Sequence, residues 1–87
     1  MNAPVRPRFG KGVKLRHDPD GSVMLLVPEA ALVLNAPAAA ALELVDGMRT
    51  TGEIVEAVVK QFDVEPERAR DDVAALFDRL VERGFLR

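Results

Sequence analysis

The chain has 87 residues, 48% hydrophobic and 30% charged, with a formal net charge of −2, no cysteine, tryptophan or tyrosine, and one histidine. That length suits one small globular domain, and the inventory excludes a disulfide scaffold, a thiolate zinc site, a cysteine nucleophile and a histidine metal cluster. So few reactive side chains argue against an enzyme acting alone.

The charge is unevenly placed. Arg6, Arg8, Lys11, Lys14 and Arg16 lie in the first 17 residues with no acid among them, whereas the remaining 70 residues carry seven basic and fourteen acidic groups. Residues 1–12 contain Pro4, Pro7, Gly10 and Gly12 and little periodicity. They read as a flexible basic arm, with the folded domain over 13–87. Five charges with a single interleaved aromatic, Phe9, fit a solvated arm better than a nucleic-acid tail.

Strands come first. Val13 to His17 alternates apolar and polar residues, the pattern of a half-exposed strand. Asp18-Pro19-Asp20-Gly21 has the composition of a type I turn. Val23 to Val27 is a continuous apolar run, suited to a central strand covered on both faces. Pro28-Glu29 breaks it, and Ala30 to Asn35 reads as a third strand. Such short links predict an antiparallel three-stranded sheet with the second strand central.

Three helices follow. Pro37 fits the first helical position, Ala38, Ala41, Leu42 and Val45 share a face, and Gly47 marks the end. Thr50 with Glu53 forms a capping box for a second helix, whose apolar side runs from Ile54 to Phe62. Pro66 opens the third and Gly84 closes it. Strands followed by helices give an α+β domain resembling a winged helix-turn-helix.

Side chains with reactive potential do not assemble into a site. His17 reads as a surface histidine, and the adjacent Asp71 and Asp72 point about 100° apart on a helix. Ser22 sits in a turn with no triad partners. No apolar run approaches the roughly 18 residues of a membrane span. The N-terminus lacks a signal-peptide core, so a cytoplasmic protein that binds no membrane is the expectation.

Two surface features remain. Lys14 and Arg16 guard the first strand, whereas the third carries neither charge nor proline. That edge is either covered by the protein itself or open to an added peptide strand. On the third helix, Ala69, Val73, Leu76 and Leu80 form a core stripe. Ala74, Phe77 and Val81, with Arg70 among them, widen the apolar arc to roughly 160°. The arc either contacts both sheet and neighbouring helices or forms a groove wall, with Phe77 and Val81 as pockets and Arg70 as an anchor. Duplex DNA fits poorly, because Glu67 to Arg83 holds four arginines against five acids.

Leu25-Leu26-Val27-Pro28-Glu29, Leu34-Asn35, Leu42 to Thr50 with its Asp-Gly-x-Arg-Thr ending, Glu53-Ile54-Val55, Asp72-Val73, Leu80 and Gly84-Phe85-Leu86 together resemble the PqqD family over about residues 9–86. Pro37 and Val45 replace an expected threonine and a frequent cysteine, and Phe62 and Phe85 replace larger or hydroxylated aromatics. The resemblance implies a peptide chaperone of pyrroloquinoline quinone biosynthesis, of the kind used as a recognition element by peptide-modifying enzymes. It would bind the ribosomal precursor PqqA and present it to PqqE, a radical S-adenosylmethionine enzyme that crosslinks the precursor's glutamate and tyrosine. The precursor would lie as an added strand between the third strand and the third helix, and the iron–sulfur chemistry would belong to the partner, leaving this chain no cofactor.

The expected contacts are Ala31, Leu32, Val33, Leu34 and Asn35 for backbone pairing, with Ala74, Phe77 and Val81 lining the groove and Arg70 at its rim. An open edge also admits a second copy, so a weak or exchanged homodimer is expected. The alternatives are a winged-helix DNA-binding regulator and a purely structural subunit of the radical enzyme.

Overall fold

The computed structural model describes residues 4–87. Strands β1 (Lys14–His17), β2 (Val23–Val27) and β3 (Ala30–Leu34) form an antiparallel sheet in the order β1-β2-β3, followed by helices α1 (Ala36–Glu43), α2 (Thr51–Phe62) and α3 (Pro66–Glu82). This is the α+β, winged-helix-like arrangement expected. In the β1–β2 turn, Gly21 N–H donates to the Asp18 carbonyl at 3.0 Å, and Gly21 takes φ +90°, a conformation open to glycine. The single histidine links β1 to α1, with its Nε2 2.7 Å from Glu43 Oε1.

The register aligns Leu15, Leu25 and Leu32 across the sheet. Strand periodicity puts these side chains on one face, and Lys14, Leu26 and Ala31, with Arg16, Met24 and Val33, on the other. The helices pack on the first face. Leu25, Leu42, Ile54, Phe77 and Leu86 are fully buried there, and Leu15, Leu32 and Leu34 pack against that core. The expectation that β2 is covered on both faces is corrected: Met24 and Leu26 stay half-buried on the second face. Cross-strand neighbours and the Arg16 side chain, whose Nη2 lies 2.9 Å from Met24 Sδ, give partial cover.

Asn35 caps α1, its side chain accepting the Ala38 N–H, so Pro37 stands one place further in than expected. The helix stops at Glu43, before Gly47. Leu44 and Val45 donate to the carbonyls of Ala41 and Leu42, a tightened last turn that carries Val45 into the core. The Asp46 carboxylate then accepts the N–H groups of Met48 and Arg49.

The Thr50–Glu53 capping box forms, with the Glu53 carboxylate accepting the Thr50 N–H at 2.8 Å and the Thr50 hydroxyl accepting the Glu53 N–H at 3.1 Å. The Thr50 N–H first, then its hydroxyl, hold Glu53 below its ordinary pKa. The N–H groups of Arg49 and Met48, more than the Arg49 charge, lower that of Asp46. A carboxyl depressed by folding adds stability that is full above its unfolded pKa and is lost as pH falls through its folded one. Stability should therefore decline as pH drops below the ordinary 4.5 of a glutamate and 3.8 of an aspartate. Thermal melts of a Glu53→Gln, Asp46→Asn variant across that range should show a flatter acid limb than wild type. Equal limbs would contradict the assignment.

The loose arm expected over residues 1–12 is corrected for residues 4–12; residues 1–3 lie outside the described residues. Arg8 and Arg87 exchange backbone hydrogen bonds at 2.8 Å, Gly10 N–H donates to the Phe85 carbonyl at 2.9 Å, and Phe9 pairs with Leu86. Gly47 N–H donates to the Pro7 carbonyl at 2.9 Å, and Thr51 Oγ1 to the Pro4 carbonyl at 2.6 Å. Pro7 is fully buried. Two prolines and two glycines do not prevent order, because the partners are the C-terminal tail and the α1–α2 loop, far away in sequence.

A Cβ on Gly10 would lie 2.5 Å from the Gly84 carbonyl oxygen. Gly10→Ala should therefore cost about 1–3 kcal/mol by prising this pairing apart. A urea melt with an unchanged midpoint would show the segment to be unimportant to the fold.

Candidate functional site

Pairing with β2 occupies one edge of β3, and no strand covers the other among the described residues. The two-residue Pro28-Glu29 turn makes Val27 and Ala30 the closing pair of the hairpin. Antiparallel pairs alternate between hydrogen-bonded and open, so the N–H and C=O groups of Ala31 and Val33 face the free edge. Val33 is 78% exposed, while Leu32 and Leu34 turn towards the core.

Asn35 does not extend this edge as expected. Its carbonyl accepts the Ala39 N–H at 2.9 Å and its side-chain oxygen the Ala38 N–H at 2.8 Å. Helix formation thus engages the Asn35 carbonyl, the acceptor that strand pairing would use.

Where β3 ends, a groove of about 480 Å³ opens between the first turn of α1 and one flank of α3. Pro37 and Ala38 form one wall, and Ala69, Val73 and Leu76 supply apolar surface on the other. Arg68, Asp72 and Arg79 bring charge to it.

The α3 residues expected beside β3 are largely elsewhere. Arg70 and Ala74 line a separate cleft of about 560 Å³ on the opposite flank of α3, facing Val55 and Val59 of α2 and the N-terminal Pro4-Val5. Phe77 has no exposed surface and anchors the core, and Val81 is half-buried against that core. α2 and the N-terminal segment, rather than β3, border the side of α3 expected to meet the peptide. The groove residues of α3 that sequence reasoning missed are Arg68, Asp72, Leu76 and Arg79, with Leu76 assigned wholly to the core. Their shared helical face is a usable signal in the sequence; which flank of the helix faces the groove is not.

Groups of three or more potential metal ligands are absent among the described residues, as are buried polar or charged side chains. No helix among them is long and apolar enough to cross a membrane. What the described surface offers is an unpaired strand edge and, past its end at Asn35, an apolar groove with charged margins, equipment for holding an extended chain.

Residues 22–86 match the family described as Coenzyme PQQ synthesis protein D (PqqD). A PqqA binding protein of Gluconobacter oxydans is 35% identical over 90% of this chain and 82% of its own length. Another from Stutzerimonas stutzeri is 37% identical over 92% and 87%. Among solved structures, the PqqD truncation of Methylobacterium extorquens PqqCD, described as a functional and stand-alone recognition element for ribosomally synthesised and post-translationally modified peptides, superposes with a TM-score of 0.77. It is 32% identical and covers 93% of this chain and 87% of that one. With its sheet, its three helices and most of its length shared with these relatives, this chain belongs to the PqqD family.

Proposed function

We propose that this chain is a peptide chaperone that binds the ribosomal precursor PqqA as a fourth strand on the free edge of β3 and presents it to PqqE. The observation that carries this reading is the free edge itself, with Ala31 and Val33 turned outward on a strand that ends at a groove reaching α3. Main-chain bonds to β3 would give affinity, and the groove would select side chains. The names of the relatives as PqqA binding proteins support the ligand. The origin of the solved relative as part of a PqqCD chain supports a role beside other biosynthetic proteins.

In this reading the contacts are drawn from the free edge and the groove lining. Ala31 to Leu34 border the added strand, Leu76 meets its side chains, and Val73 and Phe77 shape the groove only from beneath. Arg70, Ala74 and Val81 drop out of the direct contacts. Titrating isotope-labelled protein with PqqA should shift the amides of Ala31, Val33, Ala69 and Leu76, leaving those around Arg70 and Val59 nearly unmoved. Shifts confined to β1 or to the α2–α3 cleft would overturn the placement. Adding PqqE to the preformed complex should give a ternary species by calorimetry; PqqE that binds the chain but displaces PqqA would favour the structural-subunit reading. A homodimer formed through β3 would use the same edge, so PqqA should dissociate it.

A further inference from the structure

The groove where β3 ends has a charge opposite to that of the body of the domain. Residues 18–87 carry seven basic and fourteen acidic groups, yet the charged side chains lining the groove are Arg68 and Arg79 against Asp72 alone. Arg68 Nε stands 3.7 Å from Asp72 Oδ2, with both side chains over 70% exposed, a contact too loose and too hydrated to consume either charge. Arg79 makes no side-chain hydrogen bond or ion pair among the described residues. Positions 68, 72 and 79 lie within about 40° around α3, next to the apolar Leu76. Both guanidiniums are exposed at the groove margin, so each keeps its donors free for an incoming carboxylate at the modest strength of a surface ion pair.

Resting on the peptide-binding reading above, we propose that Arg79, supported by Arg68, selects precursors by pairing with a carboxylate of the bound strand. The acidic body repels such a carboxylate elsewhere, so the pairing fixes where along β3 the peptide settles as well as whether it binds. Both an aspartate or glutamate side chain and the C-terminal carboxylate of a precursor have this chemistry, and the side chain is the form the proposal commits to, since a strand running along β3 carries it over the groove.

The test is calorimetric titration of the full chain with synthetic PqqA, at low and high salt. The peptides are wild type, a series with each aspartate or glutamate changed in turn to its amide, and one with an amidated C-terminus. The proteins are wild type, Arg79→Gln, and Arg70→Gln on the opposite flank, each checked for an unchanged melting midpoint. Arg79→Gln should weaken binding about fivefold at low salt and less at high salt, the range of a partly exposed ion pair. One amide peptide should bind wild type about fivefold more weakly yet bind Arg79→Gln no worse than unmodified PqqA does. Arg70→Gln should bind as wild type.

Equal binding by Arg79→Gln and wild type would overturn the proposal, as would amide peptides that weaken both proteins alike. Loss of the coupling only on C-terminal amidation would overturn the side-chain assignment and leave the terminal carboxylate as the partner. These results leave peptide binding standing, whereas PqqA that fails to bind wild type at all would overturn the peptide-binding reading itself.

Discussion

Val33→Pro should leave the domain folded and weaken PqqA binding at least about tenfold. The N–H of Val33 faces the free edge of β3, so proline removes a donor that the β2–β3 ladder does not use. Edge strands accept proline where the N–H points away from the sheet, and Val33 is 78% exposed, so no core packing is lost. An added strand loses one main-chain hydrogen bond, worth about 0.5–1.5 kcal/mol net, and meets the pyrrolidine ring where its carbonyl should sit. Since about 1.4 kcal/mol is tenfold in affinity, the bond and the clash together exceed that factor. Val33→Thr keeps the N–H and should bind nearly as wild type, while Leu32→Pro should damage the fold, because the Leu32 N–H belongs to the ladder with Leu25. A Val33→Pro protein that melts normally and binds PqqA with native affinity would rule out strand addition at β3.

Phe77→Ala should be the most destabilising single truncation on α3. The ring is fully buried within the cluster that includes Leu25, Leu42 and Ile54, and deleting a phenylalanine there leaves a cavity that a packed core closes only in part. The cost is about 3–5 kcal/mol, against a total stability of about 5–15 kcal/mol for a typical domain. For a chain of this size the melting midpoint should fall by about 15 °C or more. The same variant separates two views of α3. If Phe77 lined a peptide groove, truncation would weaken PqqA binding and leave the midpoint almost unchanged. Denaturation and titration on one preparation distinguish these outcomes, and a stable Phe77→Ala protein with lost affinity would show the core assignment to be wrong.

The elements legible in the sequence were those with local causes. The β2 run matches its predicted limits, the Thr50–Glu53 box starts α2, and Pro66 opens α3, because each signal acts through neighbours a few residues away. The unguarded composition of β3 was equally legible, since a missing charge or proline is visible in the string itself. Misreadings arose where the partner is distant. Asn35 was given to the strand, although its side chain and carbonyl are spent on capping α1. The N-terminal segment was read as loose because its pairing partners, Phe85 to Arg87, lie at the other end of the chain.

The sequence by itself determined that this is a small α+β domain with little reactive chemistry, a bare strand edge and an α3 apolar over an unusually wide arc. Only the tertiary structure decided which flank of α3 faces the groove that opens where β3 ends. Helical periodicity orders residues around an axis but carries no information about how the axis is rotated against a sheet; that rotation is set by burying Phe77, Val73 and Leu80 against the core. Once those three are inside, α2 and the N-terminal segment border Arg70 and Ala74, and Arg68, Asp72, Leu76 and Arg79 are left to face the groove where β3 ends.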